Sequence, residues 1–178
     1  MKKFIVAPLL AALVMFLWGF VYYGVSAFPY QALKATNGDV GPQLNALFPA
    51  SGTYVIPDPR GDKAEAEKLV QRGPIATVHI HREGAKSMDP LMLARGFGLE
   101  FVSCLLLAVL LTLGSVTGFG SRLIFAVIAG MLITLYSHGG EAIWWQQDWA
   151  WHGRTMIYDV VAWFGAGLVL ALLVKPSR

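Results

Sequence analysis

Four apolar stretches dominate the options open to this chain: Phe4–Val25, a run from Pro90 through Arg95 and Glu100 to Leu113, a run from Arg122 to about Tyr136, and Thr155–Val174. A helix rises 1.5 Å per residue, so about 20 consecutive apolar residues match the roughly 30 Å hydrocarbon core of a bilayer. Composition agrees, with 56% hydrophobic and 14% charged residues, against about 25% charged in a soluble domain. The fold class expected is membrane α-helical: four transmembrane helices, with a small α+β extracytoplasmic cap between the first and second.

The punctuation between these stretches predicts three regions. Residues 1–28 form the first transmembrane helix. Lys2-Lys3 and Val25-Ser26-Ala27 raise the competing reading of a cleaved signal peptide, but such an apolar region runs only about 7–15 residues. An uncleaved anchor is therefore expected, with Pro8 in its first turns, where a missing N–H is tolerated. Residues 29–89 are the hydrophilic cap. Asp39 is placed to cap a short helix through Phe48, and Gly52–Ile56 and Ile75–Arg82 read as strands. Asp62 and Glu65 have capping-box spacing before a helix that stops at Gly73-Pro74. Residues 90–178 carry three helices, opened by Asp89-Pro90 as N-cap and first helical position. Gly114–Gly120 makes a tight turn, Gly139-Gly140 interrupts the third helix, and residues 138–154 form a Trp-rich loop.

Charge orients the arrangement. The net charge is +3, but its distribution matters more. Lys2, Lys3, Arg122, Lys175 and Arg178 flank the apolar runs on one side with no acidic neighbour. The other nine Lys and Arg share the opposite side with all eleven Asp and Glu. This is the positive-inside bias, and it predicts both termini cytoplasmic in a bacterial inner membrane. The basic excess reports topology and excludes a nucleic-acid partner. The single Cys104 lies within an apolar run, so neither a disulfide framework nor a Cys-based metal site is available.

Six polar residues fall near one predicted depth: Glu100, His138, Glu141, His152, Arg154 and Asp159. Ionisable groups inside a membrane are expensive unless paired, and mark a functional site by default. The plainer account is a structural network in which Arg154 bridges Glu100 or Asp159; the sharper one is proton or cation handling. His79 and His81 alternate on a predicted strand and are weak candidates for a metal. No metal or other cofactor is expected overall. A bis-His haem through His138 and His152 is disfavoured because both read as loop residues. No phosphate-binding loop, dinucleotide fingerprint, nucleophile elbow or zincin helix is present, which points away from an enzyme. Trp144, Trp145, Trp149 and Trp151 suit a lipid interface or a protein one, expected as a short helix or turn over Ile143–Trp151. Gly165-Ala166-Gly167 is a small-residue patch where a further helix could approach.

Pro49-Ala-Ser-Gly52-Thr-Tyr54-Val-Ile-Pro57, Gly73-Pro74 and Met88-Asp89-Pro90 together resemble a group of small bacterial inner-membrane proteins built as one span, a periplasmic insert and three further spans. The resemblance implies architecture and no activity. Two functions are expected. The first is a non-catalytic accessory or structural subunit of a larger inner-membrane complex, respiratory or photosynthetic, contacting lipids and other membrane subunits through its cap and Trp-rich loop. The alternative is a small proton- or cation-linked transporter or membrane enzyme using the carboxylate and histidine cluster.

Overall fold

A computed structural model of the protein describes residues 2–174, with side chains from Ile5 onward. The basic side chains of Lys2 and Lys3, the Lys175-Pro176 close of the fourth apolar run and Arg178 lie outside the described residues. The chain divides into two compact units: the N-terminal segment to Lys34 with everything from Pro90 onward, and Ala35–Asp89.

The first unit is helical. Helix α1 (Lys2–Gly19) runs on as a π-helical turn over Phe20–Val25, followed by a 3-10 turn at Pro29–Ala32. Helices α4 (Pro90–Leu113), α5 (Phe119–Trp144) and α6 (Trp149–Leu173) complete it. Four helical segments, Ile5–Val25, Pro90–Leu113, Phe119–Trp144 and Trp149–Leu173, are long and apolar enough to cross a membrane. At 1.5 Å per residue the shortest is about 30 Å long. Large apolar side chains such as Leu99, Leu106, Ile124, Ile128 and Leu132 stand mostly exposed on their outer faces.

Within this unit the helices pack in the order α4, α1, α6, α5, and α4 and α5 touch only sparsely. Small residues set the spacing: Ala7, Ala11 and Ala12 on α1, Ala108 on α4, Ala126 on α5, and Ala162 and Ala166 on α6 are all buried. Without an aqueous hydrophobic drive between helices in lipid, such close backbone approach is the main source of packing attraction. Polar links tie α6 to α1, with Trp18 Nε1 donating to Tyr158 O at 3.1 Å and Tyr22 OH to Arg154 O at 2.7 Å. Cys104 is buried with its Sγ 3.5 Å from Met15 Sδ, joining α4 to α1. The Gly165-Ala166-Gly167 patch is already occupied. A Cβ on Gly165 would meet Val14 of α1 at 3.0 Å, and one on Gly167 would meet Ala126 of α5 at 3.0 Å. It serves the packing of this chain's own helices and offers no free face to another.

The third apolar run does not stop at Gly139-Gly140. Helix α5 passes through both glycines to Trp144, and α6 starts at Trp149, so the expected loop over 138–154 shrinks to residues 145–148. Each glycine weakens a helix by about 1 kcal/mol relative to Ala, which the buried packing of α5 on α6 outweighs. Asp148 caps α6, accepting from Ala150 N at 2.7 Å. At the other end, buried Arg122 donates to Gly118 O at 3.2 Å and to Val174 O, placing a cation on the last carbonyls of α6 where the helix dipole favours it.

The second unit contains helix α2 (Gly41–Leu47), strand β1 (Gly52–Ile56), helix α3 (Lys63–Arg72) and strand β2 (Ala76–Ile80). The expected α+β cap is thus a two-stranded antiparallel sheet, paired from Gly52↔Ile80 to Ile56↔Ala76, with two short helices. Asp62 caps α3 through Glu65 N at 3.0 Å, as its spacing predicts. Asp39 Oδ1 accepts from Gly41 N at 2.9 Å at the start of α2. Phe48 is the one buried side chain among the described residues of this unit, its ring 4.7 Å from that of Tyr54. Arg82 Nη1 holds Phe48 O at 2.7 Å, and Ser51 Oγ receives Arg82 N at 3.0 Å while donating to Glu83 at 2.8 Å.

Candidate functional site

A ridge of α5 carries Arg122, Ala126, Gly130, Thr134, His138 and Ala142 at four-residue intervals, the spacing that lines neighbouring side chains up in a row winding slowly round the helix. Five of the six are buried and His138 is nearly so, with 15% of its side chain exposed. Gly130 shows why this row can lie so close to α6: a Cβ there would stand 2.4 Å from Trp163 Cβ. Glu141 is displaced by one turn from His138 toward the end of α5. Across the interface, His152 and Asp159 are two turns apart on α6 and point into the same seam.

The side chains meet in a continuous file. Thr134 Oγ1 donates to Asp159 Oδ2 at 3.3 Å, and His138 Nε2 lies 3.1 Å from that same oxygen. His138 Nδ1 faces His152 Nδ1 at 3.1 Å. His152 Nε2 in turn lies 3.0 Å from Gln147 Oε1 and 3.8 Å from Glu141 Oε2. His152 is 2% exposed at its side chain, Asp159 22% and Glu141 49%, so the file is most enclosed at His152 and most open at Glu141.

Donor and acceptor accounting makes the centre of this file unusual. A neutral imidazole carries one N–H and one bare lone pair. With Asp159 ionised, its oxygen can only accept at His138 Nε2, and that nitrogen carries the ring's proton. With the Gln147 carbonyl oxygen turned to it at 3.0 Å, His152 Nε2 carries a proton as well. Two Nδ1 lone pairs are then aimed at each other at 3.1 Å. In that state a shared proton, which makes one ring an imidazolium, or a metal cation satisfies both nitrogens, whereas a protonated Asp159 or a turned Gln147 amide satisfies them with both rings neutral. The two rings, on facing helices and not in a loop, are also too close for a porphyrin to pass between them.

The remaining polar residues stand apart from this file. Arg154 bridges neither Glu100 nor Asp159. Its guanidinium lies 4.5 Å above the Phe28 ring and donates to Phe28 O and to Gln31 Oε1, the latter at 3.0 Å, anchoring the 3-10 turn to α6. The sequence placed it beside the carboxylates because both lie near one helix end, but the helix turns it to the α1 side. Glu100 sits on α4, and its Oε2 is buried with no hydrogen-bond partner. His79 Nδ1 pairs with Thr53 Oγ1 at 2.9 Å across the sheet, while His81 lies 3.7 Å from Glu83. Each has its own neighbour, and they form no common site. Trp144, Trp145 and Trp149 are 82%, 55% and 56% exposed around the short 145–148 connection, and Trp151 is half-buried.

Two contributors, Thr134 and Gln147, escape a reading of the sequence. Thr134 had one legible signal, its four-residue spacing from His138 in the buried row. Gln147 had none, because its reach to His152 depends on where the connection ends and α6 begins. No family model, curated protein or solved structure matches this chain.

Proposed function

We propose that this chain is a multi-pass bacterial inner-membrane protein, both termini cytoplasmic, that binds a cation in the α5–α6 seam and couples it to transport or membrane chemistry. The observation that carries this reading is the pair of Nδ1 atoms facing at 3.1 Å in a buried seam, with Asp159 3.1 Å from His138 and Glu141 3.8 Å from His152. A cation held between the two rings would have two imidazole nitrogens and nearby carboxylates to offset its burial in an apolar helix pair. Four outward-facing apolar helices supply the membrane setting. The extracytoplasmic placement of residues 35–89 and of the open end of the file follows from the charge bias described above.

Reconstitution into proteoliposomes tests the reading. An imposed proton or Zn²⁺ gradient should dissipate faster with the intact protein than with a His138→Ala/His152→Ala variant, followed by dyes sensitive to lumenal pH or Zn²⁺. Equal rates for intact protein, variant and empty vesicles for both cations would end the coupling claim. The exposed indoles of Trp144, Trp145 and Trp149 favour a second reading, an accessory subunit docking on a larger complex through this edge. Extraction in mild detergent and native co-purification decide that one: a lone monomer would remove it.

A further inference from the structure

We infer that His138, His152 and Glu141 form a binding site for a divalent first-row transition metal of the Zn²⁺ type, with one coordination position open. The inference rests on the cation-binding reading above and names its ligand. Among the described residues, this trio brings its ligand atoms within 4.8 Å of one another. Two Zn–N bonds of about 2.0–2.1 Å at a tetrahedral angle hold their nitrogens roughly 3.3 Å apart. The Nδ1 pair already stands at 3.1 Å. Glu141 follows His138 by three residues on α5, so both side chains leave the same face, and its half-exposed carboxylate completes the trio whose ligand atoms lie within 4.8 Å of one another.

The surroundings match what a metal asks of its ligands. Metal-bound histidines characteristically donate their second ring N–H to a carboxylate or carbonyl, which fixes the tautomer and raises ligand basicity. Asp159, itself held by Thr134, does this for His138, and Gln147 does it for His152. A proton shared between the rings engages the two histidines alone, whereas a metal engages Glu141 as a third ligand. Two imidazoles and a carboxylate select borderline metals such as Zn²⁺ over Mg²⁺ or Ca²⁺, and the absence of thiolate disfavours Cu⁺. Cys104 lies in the core against Met15, away from the trio. Three protein ligands with a vacant fourth position characterise sites that act on water or a passing ligand, whereas structural zinc is closed by four.

Full-length protein, purified in detergent and stripped with a chelator, should bind one Co²⁺ per chain and display visible d–d bands of tetrahedral geometry that Zn²⁺ abolishes. His138→Ala and His152→Ala should each weaken binding at least 100-fold. Asp159→Asn, which touches no metal, should weaken it about 10–100-fold through His138. His79→Ala/His81→Ala should bind as the intact protein does. Circular dichroism and gel filtration separate loss of ligand from loss of fold, and His138→Gln provides a second, milder variant. Absence of Co²⁺ bands in folded intact protein, or binding that survives in folded His138 and His152 variants, overturns the inference. If metal binding is absent while proteoliposomes still show His138-dependent proton flux, the metal is wrong and the cation-handling reading stands.

Discussion

Glu83 shows how single contacts outside the apolar helices set local chemistry. The Ser51 hydroxyl holds its carboxylate below the ordinary range, helped by its own backbone N–H and more weakly by His81 and Arg82. A carboxylate depressed in the folded state contributes stability fully above its unfolded value, about 4.3, and loses it as pH falls through the folded value. Ser51→Ala should therefore raise the Glu83 titration toward about 4.3 and remove that acid-side contribution. Carboxyl-resolved NMR titration reads this directly; an unmoved Glu83 would show that the Ser51 bond does not persist in solution. Because Glu83 is solvent-exposed, the effect on global stability is small. The same Ser51 oxygen receives Arg82 N, so the substitution also unties the residue before β1 from the chain leaving β2.

At the scale of elements, the close approach of α5 and α6 is what assembles the candidate site. Gly130 carries that approach, since any Cβ there would collide with Trp163. Gly130→Ala should destabilise the helix pair by about 1–3 kcal/mol, the usual range for overpacking, and should spread the His138–His152 pair. Gly120 gives the contrast: it is exposed on the same helix, and a Cβ there meets nothing within 4 Å. Gly120→Ala should be neutral or stabilising by up to about 1 kcal/mol, from helix propensity. Thermal unfolding of both variants in detergent, with Co²⁺ binding as the site readout, compares the two signs. Equal behaviour would mean that α5–α6 spacing does not depend on Gly130.

For the whole molecule, the orientation drawn from charge is open to a direct measurement. Cys104 is buried, so a Cys104→Ser background should leave the packing close to intact while clearing the native thiol. Gln146 and Thr117 are both exposed and lie beyond opposite ends of α5. Single-cysteine variants Gln146→Cys and Thr117→Cys should differ in intact spheroplasts: an impermeant maleimide should label position 146 and spare 117 until the membrane is opened. The reverse pattern would invert the topology, and equal labelling would deny that α5 crosses. Orientation bears on the proposed function because residues 145–148 lie at the exposed, Glu141 end of the polar file and so mark the compartment that end faces.

The apolar runs by themselves determined that this chain makes four long helices, because a hydrophobic stretch of that length has few other stable forms. Local chemistry was also legible where it acts over a few residues: Asp62 at α3, the strand at Gly52–Ile56, and the helix opening at Pro90. Ends were less legible. Gly139-Gly140 and the tryptophans read as a loop because propensity counts each glycine against a helix, while the burial of Thr134, His138 and Ala142 against α6 is invisible in one dimension. The polar residues could be gathered only by depth. Rotation about each helix axis, which no linear pattern reveals, decided that Arg154 faces Phe28 and that His138, His152 and Asp159 share a seam. Which residues meet was a matter of tertiary packing, since the contact of α5 with α6 depends on side-chain volume at Gly130 and Trp163 and on a connection only four residues long.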